Sequence, residues 1–315
     1  MKNECPACTD KKFEIVKKID VEVQHALYIK NNIAVSNELT KNLSEIASKY
    51  EVRKCLNCKL EYANPFIAPN AAWYSILYSN LKLFPTSRWE FNFVKHYINS
   101  NDLVVDYGCG DGKFLISIAD KTKNVCGFDF SLDAVVQARR EGIVAEVLDD
   151  EVTASMKITP SRAAHITAFH VLEHMDDPTT LFRFAMLIAA PTTCLWVAVP
   201  SDKRASRLYG GADILDEPPH HLTRWNRKSL EEIAIKANWK LIDFRYEPLN
   251  MRTKLWEITR RTGIYRKLQV KNKMLDRLIR IILSLPVYIL KQSELRELTG
   301  FSMLACYQYQ LTLSK

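Results

Sequence analysis

Val104-Val105-Asp106-Tyr107-Gly108-Cys109-Gly110-Asp111-Gly112 holds three of the chain's nine glycines within five residues. An apolar run ends in an acid, the acid opens a glycine-rich turn, and Lys113-Phe114-Leu115-Ile116 resumes the apolar pattern. That order predicts a buried parallel strand handing over to a helix through a loop bare enough for a ligand to reach the backbone. A nucleotide cofactor is the ordinary occupant of such a crevice, and the spacing decides which one. A dinucleotide fingerprint needs G-x-G-x-x-G. Its third glycine would fall at Lys113, whereas the glycine present is Gly112.

A second acid, Asp129, closes the next apolar segment, Val125-Cys126-Gly127-Phe128-Asp129. The run D-x-G-x-G-x-G followed by Asp129 resembles the class I S-adenosylmethionine (SAM) methyltransferases. The resemblance implies a Rossmann-like α/β fold, doubly wound around a mostly parallel seven-stranded sheet, with SAM as cofactor. It assigns Asp129, with Phe130 after it, to the nucleoside end, the carboxylate accepting from both ribose hydroxyls. Gly108, Cys109, Gly110 and Gly112 line the amino-acid end, and Asp106 holds the turn or reaches the ammonium through water. Ser131 already fits the N-cap of a helix over Leu132–Glu141, which leaves Asp129 for the ligand.

The downstream pattern keeps alternating. Gly142 fits the C′ position of that helix. A strand over Ile143–Leu148 leads to Asp149-Asp150, and Asp149 is the candidate for the adenine amino group. Strand His165–Phe169 reaches His170-Val171-Leu172-Glu173-His174, Asp177-Pro178 opens a helix, and Cys194–Val199 is a further buried strand. The Leu-Glu-His ending is similar to the ubiquinone-type O-methyltransferases, where a Glu-x-x-Glu-His run holds a divalent ion. Here His170 replaces the first glutamate, which favours a loop beneath the methionine end of SAM, with His170 a cofactor contact, over a hard-cation site.

At 315 residues the chain accommodates one sizeable α/β core and an appended module. No apolar run approaches the ~20 residues of a membrane span. Met1-Lys2-Asn3-Glu4-Cys5 has no apolar signal region, so a cytoplasmic location is expected. In a reducing compartment, eight cysteines suggest metal ligands rather than disulfides. Cys5-Pro6-Ala7-Cys8 and Cys55-Leu56-Asn57-Cys58 are two C-x-x-C knuckles able to share one structural Zn²⁺. The long gap between them requires an insertion, expected to be strand-like over Val21–Val35 and helical over Asn37–Lys49. Cys109, Cys126, Cys194 and Cys306 stand singly and are expected to be buried hydrophobes.

After the second knuckle comes Lys59-Leu60-Glu61-Tyr62-Ala63-Asn64-Pro65, then an aromatic-rich stretch from Trp73 to Tyr97. A knuckle running into this Tyr-Ala-Asn-Pro turn ahead of the glycine loop resembles a bacterial group of class I methyltransferases with an N-terminal zinc ribbon. Many of these act in surface-polysaccharide and sugar-modification pathways. The resemblance extends to about Phe244. It implies a zinc-ribbon module over 1–64, an aromatic helical lid over 65–100 and a SAM-binding core over 101–250 plus 298–315. Trp73, Tyr74, Tyr78 and Trp89 are lid candidates, and Arg88 is a partner for the cofactor carboxylate.

Asp216-Glu217-Pro218-Pro219-His220-His221-Leu222-Thr223-Arg224-Trp225 bears most on mechanism. Two prolines stiffen the approach to paired histidines, and Asn226 caps a helix over Lys228–Ala237. Methyl transfer to a neutral hydroxyl needs a proton acceptor, and imidazole is suited to that near neutral pH. His221 is the candidate base, with His220 orienting or binding. Trp239–Tyr246 and Phe301–Gln310 are expected to pair antiparallel, yet about fifty residues separate them where a hairpin needs a handful. Within that gap, residues 251–297 carry twelve Lys/Arg against four Asp/Glu, a net of +8 that equals the formal charge of the whole chain. A basic amphipathic helix over Lys273–Leu285, ending before Pro286, suits an anionic membrane surface at the inner face or a phosphate-rich substrate. The expected activity is methyl transfer to a hydroxyl of a nucleotide-linked, lipid-linked or polysaccharide sugar. Alternatives are a zinc-ribbon rRNA methyltransferase and a SAM-binding protein without turnover.

Overall fold

The computed structural model describes residues 4–33, 47–79, 87–148, 162–210, 213–259, 261 and 273–310. Two sheets organise the first of two compact units, which comprises Met1–Val199, Ile214–Phe244 and Leu304–Lys315. The larger sheet has seven strands: β4 (Val104–Tyr107), β5 (Val125–Asp129), β6 (Ala145–Val147), β7 (Ala163–Phe169), β8 (Ala189–Pro200), β10 (Trp239–Tyr246) and β11 (Ser302–Tyr309). Their order is β10-β11-β8-β7-β4-β5-β6. The pairs β4–β5, β4–β7, β5–β6 and β7–β8 are all parallel. Asn238 C=O accepts from Gln310 N–H and Ser302 C=O from Glu247 N–H, so β10 and β11 run antiparallel. The chain winds one way from β4 to β6 and the other way from β7, so the order reverses between β4 and β7. A crevice outside the carboxyl ends of the strands is where such sheets bind ligands.

Helix Leu132–Arg140 starts on Ser131, whose hydroxyl accepts from Ala134 N–H. Helix Thr179–Ile188 starts after Asp177, whose carboxylate accepts from Thr179 N–H at 3.1 Å. Phe91, Val94, Phe114, Leu115, Val135 and Ala138 from the helices bury against Val104, Trp196, Ala198 and Leu304 of the sheet. Apolar burial of this kind contributes about 25 cal/mol per Å².

The smaller sheet is antiparallel, in the order β1 (Phe13–Asp20), β2 (Lys49–Cys55), β3 (Glu61–Asn64), β9 (Thr223–Arg224). Its last strand comes from the far side of the sequence: Thr223 and Arg224, directly after the paired histidines, sit opposite Tyr62 and Glu61. The segment expected to be strand-like over Val21–Val35 is instead a helix, Val21–Lys30. Its valines and isoleucine favour strands, but Asp20 caps it by accepting from the N–H groups of Glu22 and Val23. Val21, Gln24, His25 and Tyr28 are its buried side chains, which is helical spacing. Residues 34–46, with most of the helix expected over Asn37–Lys49, lie outside the described residues; Lys49 itself opens β2.

The second unit comprises Pro200–Asp213 and Arg245–Met303. Ala205, Ile258, Val287, Leu295 and Leu298 form its small core. Its longest helix runs from Lys273 through Pro286 to Leu290 rather than ending at Leu285. A proline removes its own N–H bond and distorts the preceding turn, and a helix can continue past it.

Candidate active site

The crevice is built first by the glycine loop. Gly108 has φ +75° and Gly112, the N-cap of helix Lys113–Ser117, has φ +79°, a region L side chains rarely occupy. Gly108 and Cys109 N–H both donate to Phe128 C=O, at 2.7 and 3.0 Å. Asp129 Oδ2 accepts from Gly110 N–H at 2.8 Å, and Oδ1 accepts from Ser131 N–H at 2.9 Å. Each carboxylate oxygen retains acceptor capacity for a ribose hydroxyl. The acid therefore both shapes the loop and can bind the ligand. Cys109 is buried against Gly127, where a Cβ would lie 2.6 Å from its Sγ. Asp106 is buried and accepts from Thr167 Oγ1 at 2.6 Å; burial, with the Asp129 charge nearby, pushes its carboxyl up to about 7. Asp149 lies outside the described residues.

The loop after β7 forms the opposite wall, and Val171 touches Gly108. His170 has φ +58°, and its ring sits between two buried carboxylates. Nε2 is 2.9 Å from Glu90 Oε1 and Nδ1 is 3.3 Å from Glu173 Oε1. Burial opposes charge on this ring, but Glu173 and Glu90 outweigh it and raise the His170 pKa. Glu173, despite burial, is held down at about 2 by His170. Arg88, before helix Trp89–Lys95, stands 3.8 Å from Glu90. Arg88, Glu90, His170 and Glu173 thus form one connected set, with the two carboxylates buried and Arg88 and His170 partly exposed.

Across from these, three imidazoles meet. His174 ring lies 4.7 Å from both His220 and His221, and the latter two are 4.6 Å apart, centroid to centroid. His221 Nδ1 faces Asp216 Oδ1 at 3.2 Å. Arg224 fixes the other oxygen of Asp216 at 2.9 Å and also pairs with Glu61 and Glu217. Burial, reinforced by the neighbouring His221, lowers the His174 pKa to about 4; burial and both neighbours take His220 well below its usual value. Tyr74 joins the cluster to the end of β5: its ring is 5.5 Å from His174, 6.1 Å from His220 and 5.8 Å from Phe130, the residue after Asp129.

Strand-end glycines, a strand-end acid and an oriented imidazole around one crevice fit group transfer from a nucleoside cofactor. A family model described as a methyltransferase domain matches residues 86–243. The chain belongs to the methyltransferase-domain family. A ubiquinone biosynthesis O-methyltransferase of Serratia proteamaculans is 27% identical over 92 residues, 28% of this chain and 38% of the relative's own length. Among solved structures, a SAM-dependent methyltransferase from Archaeoglobus fulgidus aligns over 70% of this chain and 94% of its own, at 13% identity and TM-score 0.47. A complex of the Haloferax volcanii Trm112 methyltransferase activator with a methyltransferase aligns over 70% and 90%, at 14% identity and TM-score 0.45. The chain spans little more than a third of the length of the curated relative it matches.

Several residues of the candidate site escape a sequence reading. Glu90 gave one signal, a lone acid in the aromatic run Trp89-Glu90-Phe91-Asn92-Phe93. Asp216 lies five residues before His221, beyond the two prolines, and its orienting contact depends on Arg224. Of the aromatic lid candidates, Trp73 and Tyr74 are buried among Tyr28, His220 and Phe130. Trp89 packs on Phe93, and the Tyr78 side chain lies outside the described residues.

The structure brings all four knuckle thiols together within 4.8 Å. Cys5 and Cys58 sulfurs are 3.5 Å apart, as are those of Cys8 and Cys55. A tetrahedral Zn²⁺ with bonds of ~2.3 Å separates its sulfurs by about 3.8 Å, so the donor set fits such an ion. The two knuckles are also conformational twins. Thr9 N–H donates to Cys5 C=O and Lys59 N–H to Cys55 C=O, with φ +59° and +63° at the donors. Asn226 Nδ2 donates to Cys58 C=O at 3.1 Å, tying the cluster to the segment after the histidine pair.

Proposed function

We propose that this methyltransferase moves the SAM methyl group to a hydroxyl of a sugar-type acceptor, nucleotide-linked, lipid-linked or polymeric, in surface glycan biosynthesis. The observation that carries the reading is the Asp216–His221 contact at 3.2 Å in the cluster that Tyr74 joins to Phe130. A buried carboxylate at Nδ1 fixes the proton there and presents Nε2 as the accepting nitrogen, so His221 takes the acceptor's proton. His220 packs beside it and shapes the acceptor end. Asp129, Phe130 and Asp149 hold the nucleoside, while Asp106, Gly108, Cys109, Gly110, Gly112 and His170 form the methionine end. Arg88, balanced by Glu90, pairs with the cofactor carboxylate. In-line transfer from a sulfonium depends chiefly on such positioning.

Zn²⁺ held by Cys5, Cys8, Cys55 and Cys58 is structural in this reading, since sulfur fills all four positions. It stiffens the sheet whose β9 strand follows His221. Residues 251–297 serve as the contact with an anionic membrane surface. Along helix Lys273–Leu290, Met274, Leu278, Ile282, Leu285 and Ile289 form one exposed apolar stripe. No helix among the described residues is long and apolar enough to cross a membrane.

Labelled methyl from SAM, added to an extract of the source cells, tests the acceptor class. The reading expects label in the glycan or glycolipid fraction, lost with His221→Ala and with Asp129→Ala. Label in RNA would replace the acceptor by a nucleic acid and leave the fold untouched.

A further inference from the structure

A single general base requires one oriented imidazole, and this site holds three. His174, His220 and His221 each offer one ligand nitrogen, and the three lie within 4.8 Å of one another. All three rings are braced in the same way. Nδ1 of His174 donates to His220 C=O at 2.8 Å, and Nδ1 of His220 donates to Leu215 C=O at 2.6 Å. Nδ1 of His221 faces Asp216 Oδ1 at 3.2 Å. An oxygen acceptor at Nδ1 places the proton there and leaves the lone pair on Nε2. A carbonyl or carboxylate behind each ring is how proteins orient histidines that ligate metals.

The ring spacing fits as well. With metal–nitrogen bonds of ~2.1 Å, an imidazole centroid stands about 3.2 Å from the ion, and ligands subtending roughly 90° (octahedral) to 109° (tetrahedral) put their centroids about 4.5–5.2 Å apart. The observed separations are 4.7, 4.7 and 4.6 Å. Glu173, the carboxylate nearest in sequence, is not among the groups that meet within 4.8 Å, so the donor set among the described residues is all nitrogen. Neutral imidazoles favour Zn²⁺, Fe²⁺ and neighbouring transition metals over Mg²⁺ or Ca²⁺.

We propose that His174, His220 and His221 bind one divalent transition-metal ion, distinct from the four-cysteine cluster, at the acceptor end of the site. Three protein ligands leave coordination positions open, the arrangement of catalytic rather than structural sites. An acceptor hydroxyl bound there loses its proton to solvent, its oxygen forms the bond to the methyl carbon, and the C–S electron pair returns to sulfur. This rests on the methyl-transfer reading and alters one part of it: in the ion-loaded enzyme His221 is a ligand, and the ion takes over acidification of the hydroxyl. Asp216 is then a positioning residue that acts through His221.

The test is metal stoichiometry on the full-length protein, equilibrated with Zn²⁺ alone and counted by mass spectrometry of the metal. Wild type should hold two equivalents. His174→Ala and His220→Ala should each hold one, with SAM binding measured alongside as the check on folding. Asp216→Asn should keep the second ion but bind it about 10–100-fold more weakly. One equivalent in wild type, unchanged in either histidine variant, overturns the metal site and leaves His221 as the base. Two equivalents falling to one, with no label reaching glycan, upholds the metal site while the acceptor reading falls.

Discussion

Replacing Gly108 by alanine probes the contact on which the crevice is built. The residue sits at φ +75°, and a Cβ there would lie 2.3 Å from Val171 Cγ2, 3.2 Å from Cγ1 and 3.3 Å from Cβ. Rotating the valine brings no relief, because both methyls and the branch point are close. The left-handed backbone costs roughly 1–2 kcal/mol. Forcing apart two packed loops costs roughly 1–3 kcal/mol more, so Gly108→Ala should lose about 2–5 kcal/mol. Gly142→Ala is the matched control: its φ is +83° and nothing lies within 4 Å of the new Cβ. It should lose only the backbone part, roughly 1–2 kcal/mol. Urea unfolding reads both losses, and calorimetric SAM titration should show affinity falling about tenfold or more, at least 1.4 kcal/mol, in Gly108→Ala alone. Val171→Ala in the same chain should restore the packing part, a favourable coupling of roughly 1–3 kcal/mol. Equal losses at Gly108 and Gly142, or no rescue by Val171→Ala, would refute the proposed contact between the two loops.

Asp129→Asn should weaken SAM by roughly 1.5–3 kcal/mol, the worth of a charge-assisted hydrogen bond, in the same titration. Asp106 gives a pH signature. Its folded pKa of about 7 stands above the ordinary 3.8, so the folded state holds the extra proton and stability falls as pH rises from about 4 to 7. Asp106→Asn should flatten that slope and stabilise the SAM-free protein at pH 8 by up to about 4 kcal/mol, in urea unfolding at pH 5 and pH 8. Ile282→Glu with Leu285→Glu removes two side chains worth roughly 1.5–3 kcal/mol each when buried, so sedimentation with phosphatidylserine vesicles should drop at least about a hundredfold. Equal sedimentation of variant and wild type would remove the membrane role of this helix.

The glycine loop was legible because its constraint is local. Backbone angles and close approach demand glycine at fixed positions, and Asp129 reads as a ligand group because Ser131 supplies the cap. The knuckles were legible because their chemistry repeats, whereas the intervening helix Val21–Lys30 was not, since strand-forming side chains masked a helical burial period that only packing reveals. The imidazole cluster was half legible. His220 and His221 are adjacent in sequence, but His174 lies 46 residues before His220 and joins them through the Leu222 N–H bond to Glu173 C=O and the pairing of β9 with β3. Glu90 and Asp216 were hidden for the same reason. A buried acid's role is set by the partner it meets, and His170 and Arg224 come from other elements.

The most direct test of the account is the chemical identity of the product made with ¹³C-methyl SAM. The enzyme is incubated with the glycan fraction, and the new methyl carbon is followed by nuclear magnetic resonance through its long-range couplings. The expected product carries a methyl on oxygen, correlated to a sugar-ring carbon and absent with Asp129→Ala. A methyl on nitrogen, on carbon or on a nucleobase would contradict the account.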